Sequence, residues 1–393
     1  MMWAIVALIG CRVLGIGAPH LEVRGPVGPV RAMAEFTIRV SSPDSVVRRL
    51  LVTVDGERSE IVPLPDGPQP YELGWVLGVR SLSHGPHEVV FRAYNDGFVA
   101  APAVAPVRVE VDRVPPELEL HAPSLVVGQG RTVAVWVRGD EPLTEGTLRI
   151  EGDREPMFAV DGVLRALRGI PISATPGPTS FMIQAEDRAG NSASIRGELV
   201  VEPTQFEEGG FIKLTPSQVS ARKDAAANTQ MRAERDEAYA LRTLEQRWEG
   251  PFRTPVIDGR RTSSFGRLRT YSDGRRDHHT GMDLAKAEGV EVLAAAAGRV
   301  VLAKEQPVFG NVVILDHGHG VTTSYNHLAS IAVEAGQMVE LGQVVATMGS
   351  TGQSTAPHLH YGMVVGDFAV DPGQWFAEDF STPPFGPAER RPQ

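Results

Sequence analysis

The chain has 393 residues, a formal net charge of −10 and one cysteine. That length exceeds what a single hydrophobic core usually holds, so more than one domain is expected. The acidic balance, with no run of Lys or Arg, excludes a nucleic-acid partner and attraction to anionic lipid, and a lone cysteine excludes an intrachain disulfide and a thiolate zinc site.

At the start, Trp3 to Gly10 is a short apolar run leading into Leu8-Ile-Gly-Cys11, which resembles a bacterial lipobox: small residues before a cysteine that becomes a lipidated N-terminus. The run is too short to cross a bilayer as a helix. Met1-Met2 lacks the Lys or Arg that opens a secretory signal, so a plain cleaved signal or a misassigned start stands beside the lipobox reading. Residues 1–19 are read as a signal peptide or lipoprotein signal, with membrane attachment through lipidated Cys11.

Residues 20–113 read as short strands. Phe36, Ile38 and Val40 alternate with Glu35, Thr37 and Arg39, and Val107, Val109 and Val111 alternate with Arg108 and Glu110, a period of two with one buried face. Asp55-Gly56 between two apolar runs signals a hairpin. A second unit, residues 114–203, opens at Pro115-Pro116 and places strands at Leu118 to Leu120, Thr132 to Val137 and Phe181 to Ala185. Ala185-Glu-Asp-Arg-Ala-Gly-Asn191 resembles the turn before the last strand of bacterial immunoglobulin-like domains, and Phe91-Arg-Ala-Tyr-Asn-Asp-Gly97 echoes it. The expectation is two immunoglobulin-like β-sandwiches, modules suited to spacing or to binding cell-envelope protein partners.

Residues 204–250 form a linker and connector helix. Thr215 is placed to cap, Pro216 to occupy the first turn and Gln218 to complete a capping box, and good helix formers continue to Trp248 before Gly250-Pro251 stops the run. Its apolar residues are too sparse for full burial, so a helix lying on the next domain is expected.

From 251 to 393 the pattern is β again, and chemistry-bearing residues concentrate. His279-Thr-Gly-Met-Asp283, Tyr325-Asn-His327-Leu and His358-Leu-His360 offer imidazoles and a carboxylate from separate segments. Three such ligands with an open fourth position make a catalytic zinc site. With Ser264-Phe-Gly266, Gly310-Asn-Val-Val-Ile-Leu-Asp-His-Gly318 and Gly349-Ser-Thr-Gly352, these motifs stand in the order and spacing of the lysostaphin/LytM-type zinc endopeptidases, which this region resembles. The sandwiches and the helix lie outside the resemblance.

The resemblance implies an antiparallel β peptidase domain of duplicated hybrid, barrel-sandwich-like type, so the whole chain is expected to be mainly β. Gly289-Val-Glu-Val-Leu and Gly336-Gln-Met-Val-Glu-Leu, each leading through a glycine to Val-Val, read as its internal repeat. It further implies one zinc ion per chain held by His279, Asp283 and His360, with His358 as base and His327 hydrogen-bonding the attacking oxygen and steadying the tetrahedral oxyanion. Arg269, Arg275 and Arg276 are read either as a charged wall beside the groove that touches the carboxylates of a peptide stem or as part of a solvated loop. The implied function is hydrolysis of peptidoglycan peptide cross-links or stems by a zinc-activated water, at D-alanyl to diaminopimelate or glycine-bridge bonds. The alternatives are a non-catalytic regulator of cell-wall amidases and a wall-binding protein acting through its sandwiches. Such a protein is exported, either as a periplasmic outer-membrane lipoprotein or in soluble secreted form.

Overall fold

A computed structural model describes residues 18–43, 45–96 and 101–384. The Leu8–Cys11 segment and nearly all of the signal-like stretch lie outside the described residues. The chain is mainly β and divides into two compact units, residues up to 117 with 186–193, and 118–185 with 194–393.

In the first unit, Met33–Ser41 pairs with His20–Arg24 and Tyr71–Gly78, while Val47–Val54 and Gly85–Asn95 form the centre of a four-stranded sheet. Phe36, Ile38 and Val40 are buried as their alternation predicts, and Phe36 meets Trp75 and Phe91 at ring-centre distances of 5.4 and 5.1 Å. Asp55 and Gly56 turn the hairpin with φ of 50° and 74°, and Glu57 N donates to Val54 O at 3.1 Å before the strands pair again at Val54 and Arg58.

In the second unit, the strands from Leu118–His121 to Ser192–Glu202 depart from the expected pair of separate sheets. They form one continuous eight-stranded ladder. Asp153–Val160 causes this, because its first half pairs with Leu143–Ile150 and its second with Val163–Gly169. The ladder folds over a core that includes Val135, Leu148, Leu164, Ile183 and Leu199.

Two strands of this ladder are covered on both faces. Along Thr132–Gly139, Val133, Val135 and Val137 enter the ladder's own core, whereas Ala134 and Trp136 enter the core of the C-terminal domain; Val163–Gly169 divides its side chains in the same way. Polar groups complete the joint. Gln374 accepts from Thr132 N at 2.7 Å and donates to Thr132 O at 3.0 Å, and Trp375 Nε1 donates to Thr132 Oγ1 at 2.9 Å. Arg165, fully buried, lies over the rings of Trp136 and Trp248 at 5.2 and 4.9 Å and donates to Phe380 O and to His319 Nδ1.

The connector differs from the single helix expected. Glu208–Ile212 is a strand, paired in parallel with Leu268–Tyr271. Pro216–Lys223 and Ala225–Tyr239 are two helices: the first carries the capping box at Thr215 and Gln218, and Asp224 ends it by accepting from Ala227 N to cap the second. A new N-cap stops one helix because its φ and ψ are not helical. Beyond Tyr239 the chain extends, and Arg247 donates to Asp316 while Trp248 is buried in the core.

The C-terminal domain is built on an antiparallel sheet in the order Arg260–Ser263, Gly281–Ala285, Leu359–Val365, Val321–Ile331, Gly310–Gly318, Gly298–Gln306, Met338–Val339. The repeated motifs pair reciprocally. Glu291–Leu293 of the first lies against Val344–Met348 of the second, and Met338–Val339 of the second against Gly298–Gln306 of the first. Met282, Leu284, Tyr325, Leu359 and Tyr361 enter the core. By alternation Asp283, Asn326 and His360 occupy the opposite face. Ala225–Tyr239 packs on that same face, where Ala238 meets Leu302, Val312 and Ile314, and Arg235 donates to Asn326 at 3.2 Å.

Candidate metal centre

Asp283 and His360 are direct register partners on neighbouring strands, so their side chains rise side by side from the sheet. His279 enters from the turn just before Gly281–Ala285. Gly281 serves close packing there, since a Cβ would lie 2.5 Å from Tyr361 O and 2.8 Å from the His360 ring. Nε2 of His279 lies 2.8 Å from Nδ1 of His360, and Oδ1 of Asp283 lies 3.0 Å from each. All three residues are buried.

The outer bonds set the inner chemistry. His279 donates its Nδ1 proton to Ser264 O at 2.9 Å, which leaves the Nε2 lone pair facing the cluster. Asn326 holds the backbone beneath His360 by donating to its carbonyl at 2.9 Å. Asp283 turns its second oxygen, Oδ2, toward Arg269.

Two more imidazoles stand beside this cluster. His358, just before Leu359–Val365, donates from Nδ1 to Ala356 O at 2.8 Å, with Ser354 Oγ at 3.1 Å, and places Nε2 3.8 Å from Asp283 Oδ1. His327 sits in Val321–Ile331 with φ of 64°, a left-handed kink that re-aims its side chain. It donates from Nδ1 to Thr351 O at 2.8 Å, and its ring centre is 5.0 Å from that of His358.

Residues 277–372 match the model of Peptidase family M23. The C-terminal domain is an M23 peptidase domain. Over 111 residues this chain is 37% identical to the peptidoglycan DD-endopeptidase ShyB of Vibrio cholerae, covering 28% of this chain and 26% of the relative. It is 39% identical over 94 residues to the DD-carboxypeptidase/endopeptidase Mpg of Neisseria meningitidis, covering 24% and 22%. The chain thus spans about a quarter of the length of these curated relatives. The crystal structure of a putative peptidase M23 from Pseudomonas aeruginosa is 26% identical, with a TM-score of 0.48, covering 63% of this chain and 93% of that one. No helix among the described residues is long and apolar enough to cross a membrane.

All five side chains expected at the M23 site lie in this one cluster, and the remaining histidines of the domain do not. His278 turns away to donate to Gly266 O at 2.7 Å, and His317 is buried between Ala297 O and Thr323 Oγ1. His319 stacks on Phe158 in the joint with the preceding ladder. The charged-wall reading of Arg269 is corrected, because its guanidinium turns inward onto Asp283 and Ser263. The supporting contacts of Ser354, Thr351 and Asn326 were not read from the sequence, although Thr351 and Asn326 stand inside the quoted motifs, since such props carry no signature of their own.

Protonation is strongly shaped by burial. It pushes His360 down to about 4, with the neighbouring charges of His279 and Arg269 adding to the shift. It pushes His327 down to about 3, aided by His360 and His358. For Asp283, burial opposes ionisation, but the neighbouring imidazoles of His279 and His360 outweigh it and hold the carboxyl well below the usual carboxylate range. His360 and His327 therefore exclude protons that an unfolded chain takes up below about 6.5. Metal-free protein should lose stability as pH falls from about 6.5 toward 4. Denaturant midpoints in chelator at both ends of that window measure it, and a constant midpoint would contradict it.

Proposed function

We propose that the M23 domain is a zinc-dependent endopeptidase that hydrolyses peptide cross-links of bacterial peptidoglycan. In this reading His279, Asp283 and His360 hold one zinc ion per chain. The supporting observation is the convergence of two imidazole nitrogens and a carboxylate oxygen within 2.8–3.0 Å of one another, beside two further imidazoles. The donor set fits, because neutral nitrogen and carboxylate oxygen are what zinc takes in hydrolytic sites. When bound, zinc supplies Lewis-acid polarisation of the scissile carbonyl and lowers the pKa of the attacking water.

The protein's own groups orient that water and move its proton. His358, with Nδ1 engaged by Ala356 O, presents Nε2 as a lone pair, accepts the water's proton and delivers it to the leaving amine. His327 is held neutral by burial and has its Nδ1 proton engaged by Thr351 O. It therefore steadies the attacking water by accepting from it, and it could donate to an oxyanion only after gaining a proton. This narrows its role from the one expected.

The proposed bond is D-alanyl to diaminopimelate, in line with the relative named a peptidoglycan DD-endopeptidase. Such a substrate lies outside the cytoplasm, in keeping with the export expected from the N-terminal segment. Purified sacculi with diaminopimelate cross-links should lose dimeric muropeptides and gain monomers. Release of free disaccharide or of intact stems would overturn the reading, and cleavage confined to glycine bridges would overturn the bond assignment.

A further inference from the structure

We infer that Arg269 is a positioning residue for the metal centre, holding Asp283 so that one carboxylate oxygen faces the two ligating imidazoles. The inference rests on the zinc reading above and concerns a residue outside the ligand set.

Asp283 divides its oxygens between two tasks. Oδ1 lies 3.0 Å from both His279 Nε2 and His360 Nδ1, whereas Oδ2 accepts from Arg269 Nη2. The same nitrogen donates to Ser263 Oγ at 2.8 Å, and that hydroxyl is 3.4 Å from His279 Nδ1. One guanidinium nitrogen thus touches the carboxylate ligand directly and reaches an imidazole ligand through Ser263.

Charge alone does not explain the arrangement. A fixed cation beside a site that takes a divalent cation repels it, so a site selected only for charge would leave Oδ2 to water or to a neutral donor. The guanidinium instead restricts rotation of the carboxylate and keeps Oδ2 away from the cluster, which favours binding through one oxygen. Its position is set by backbone. Arg269 lies on Leu268–Tyr271, whose two edges are paired with Glu208–Ile212 and Arg276–His278. Asp283 and Arg269 are both largely withdrawn from solvent, with side-chain exposures of 8% and 16%, so water competes poorly for the bond.

The test is metal binding by the full chain, independent of turnover. Zinc affinity is measured by competition with a chromophoric chelator, and the visible spectrum of cobalt-loaded protein reports coordination number and geometry. R269M keeps most of the aliphatic stem and removes every donor. It should bind zinc roughly 10- to 100-fold more weakly than the wild type, the range for losing an outer-sphere partner. Its cobalt spectrum should also change, as the freed carboxylate engages through both oxygens. Wild-type affinity with an unchanged cobalt spectrum would overturn the inference, and so would tighter zinc binding, which would mean repulsion dominates. If R269M does not fold, R269Q is measured instead under the same outcomes. Should the wild type itself bind neither metal, the zinc reading falls and this inference with it, whereas failure of the variants' expected loss leaves that reading standing.

Discussion

His360→Ala is expected to strip the M23 domain of zinc, while His358→Ala keeps the ion and loses the reaction. A ligand must offer a neutral nitrogen at about 2.0 to 2.1 Å from the metal, and His360 supplies one of the three donor atoms that converge with His279 and Asp283. Its removal also leaves the buried Asp283 short of one of its two imidazole partners. Metal content and activity should fall together. His358 engages the cluster only through Nε2, 3.8 Å from Asp283 Oδ1, and is otherwise held by Ala356 and Ser354. His358→Ala should therefore stay near-stoichiometric in zinc and lose roughly 10²-fold or more in rate, the scale of a missing general base. His327→Ala should behave similarly. Zinc by mass spectrometry beside sacculus digestion separates the roles. If His358→Ala loses metal and His360→Ala retains it, the assignment is reversed.

Trp375→Ala should produce the largest loss of stability from one substitution, about 3–5 kcal/mol, the range for truncating a large buried aromatic. Trp375 is 1% exposed and packs against Trp248, Phe252 and Phe380 at ring-centre distances of 5.9, 5.1 and 4.5 Å. Its indole N–H also donates to Thr132 Oγ1, so the substitution opens a cavity and leaves a buried hydroxyl without its donor. Urea denaturation followed by fluorescence and by circular dichroism should show the transition of the unit that contains Trp375 at a lower midpoint. An unfolding free energy within about 0.5 kcal/mol of the wild type, the usual size of a surface change, would refute this reading of the joint.

The cluster was legible because its residues fall inside motifs whose order and spacing are distinctive, and the alternation at Phe36 to Val40 declared a half-buried strand directly. What escaped was mostly set by packing at a distance. The run Val133-Ala-Val-Trp-Val137 contains the relevant signal, since a strand apolar at every position is covered on both faces, but periodicity cannot say what covers it. The helix break at Asp224 was readable in principle. Asp before Ala-Ala-Ala-Asn is a good N-cap, and a run of helix formers on both sides masked it. Arg269 offered nothing to distinguish an inward guanidinium from an outward one, because a long flexible side chain on a hairpin strand can point either way until its partner is placed.

The joint between the eight-stranded ladder and the M23 domain bears on how the chain can be divided. Trp136 and Leu167 from the ladder share one core with Phe252, Val370 and Trp375, and Arg165 is locked among them. Chain connectivity through residues 204–210 therefore contributes little to holding the two together. A polypeptide nicked there should travel as a single particle in gel filtration and separate only in denaturant. By the same token, a fragment starting at Pro251 would expose an apolar surface that the ladder normally shields. Poor solubility of such a fragment would report an uncovered edge of its core rather than a defect in its chemistry.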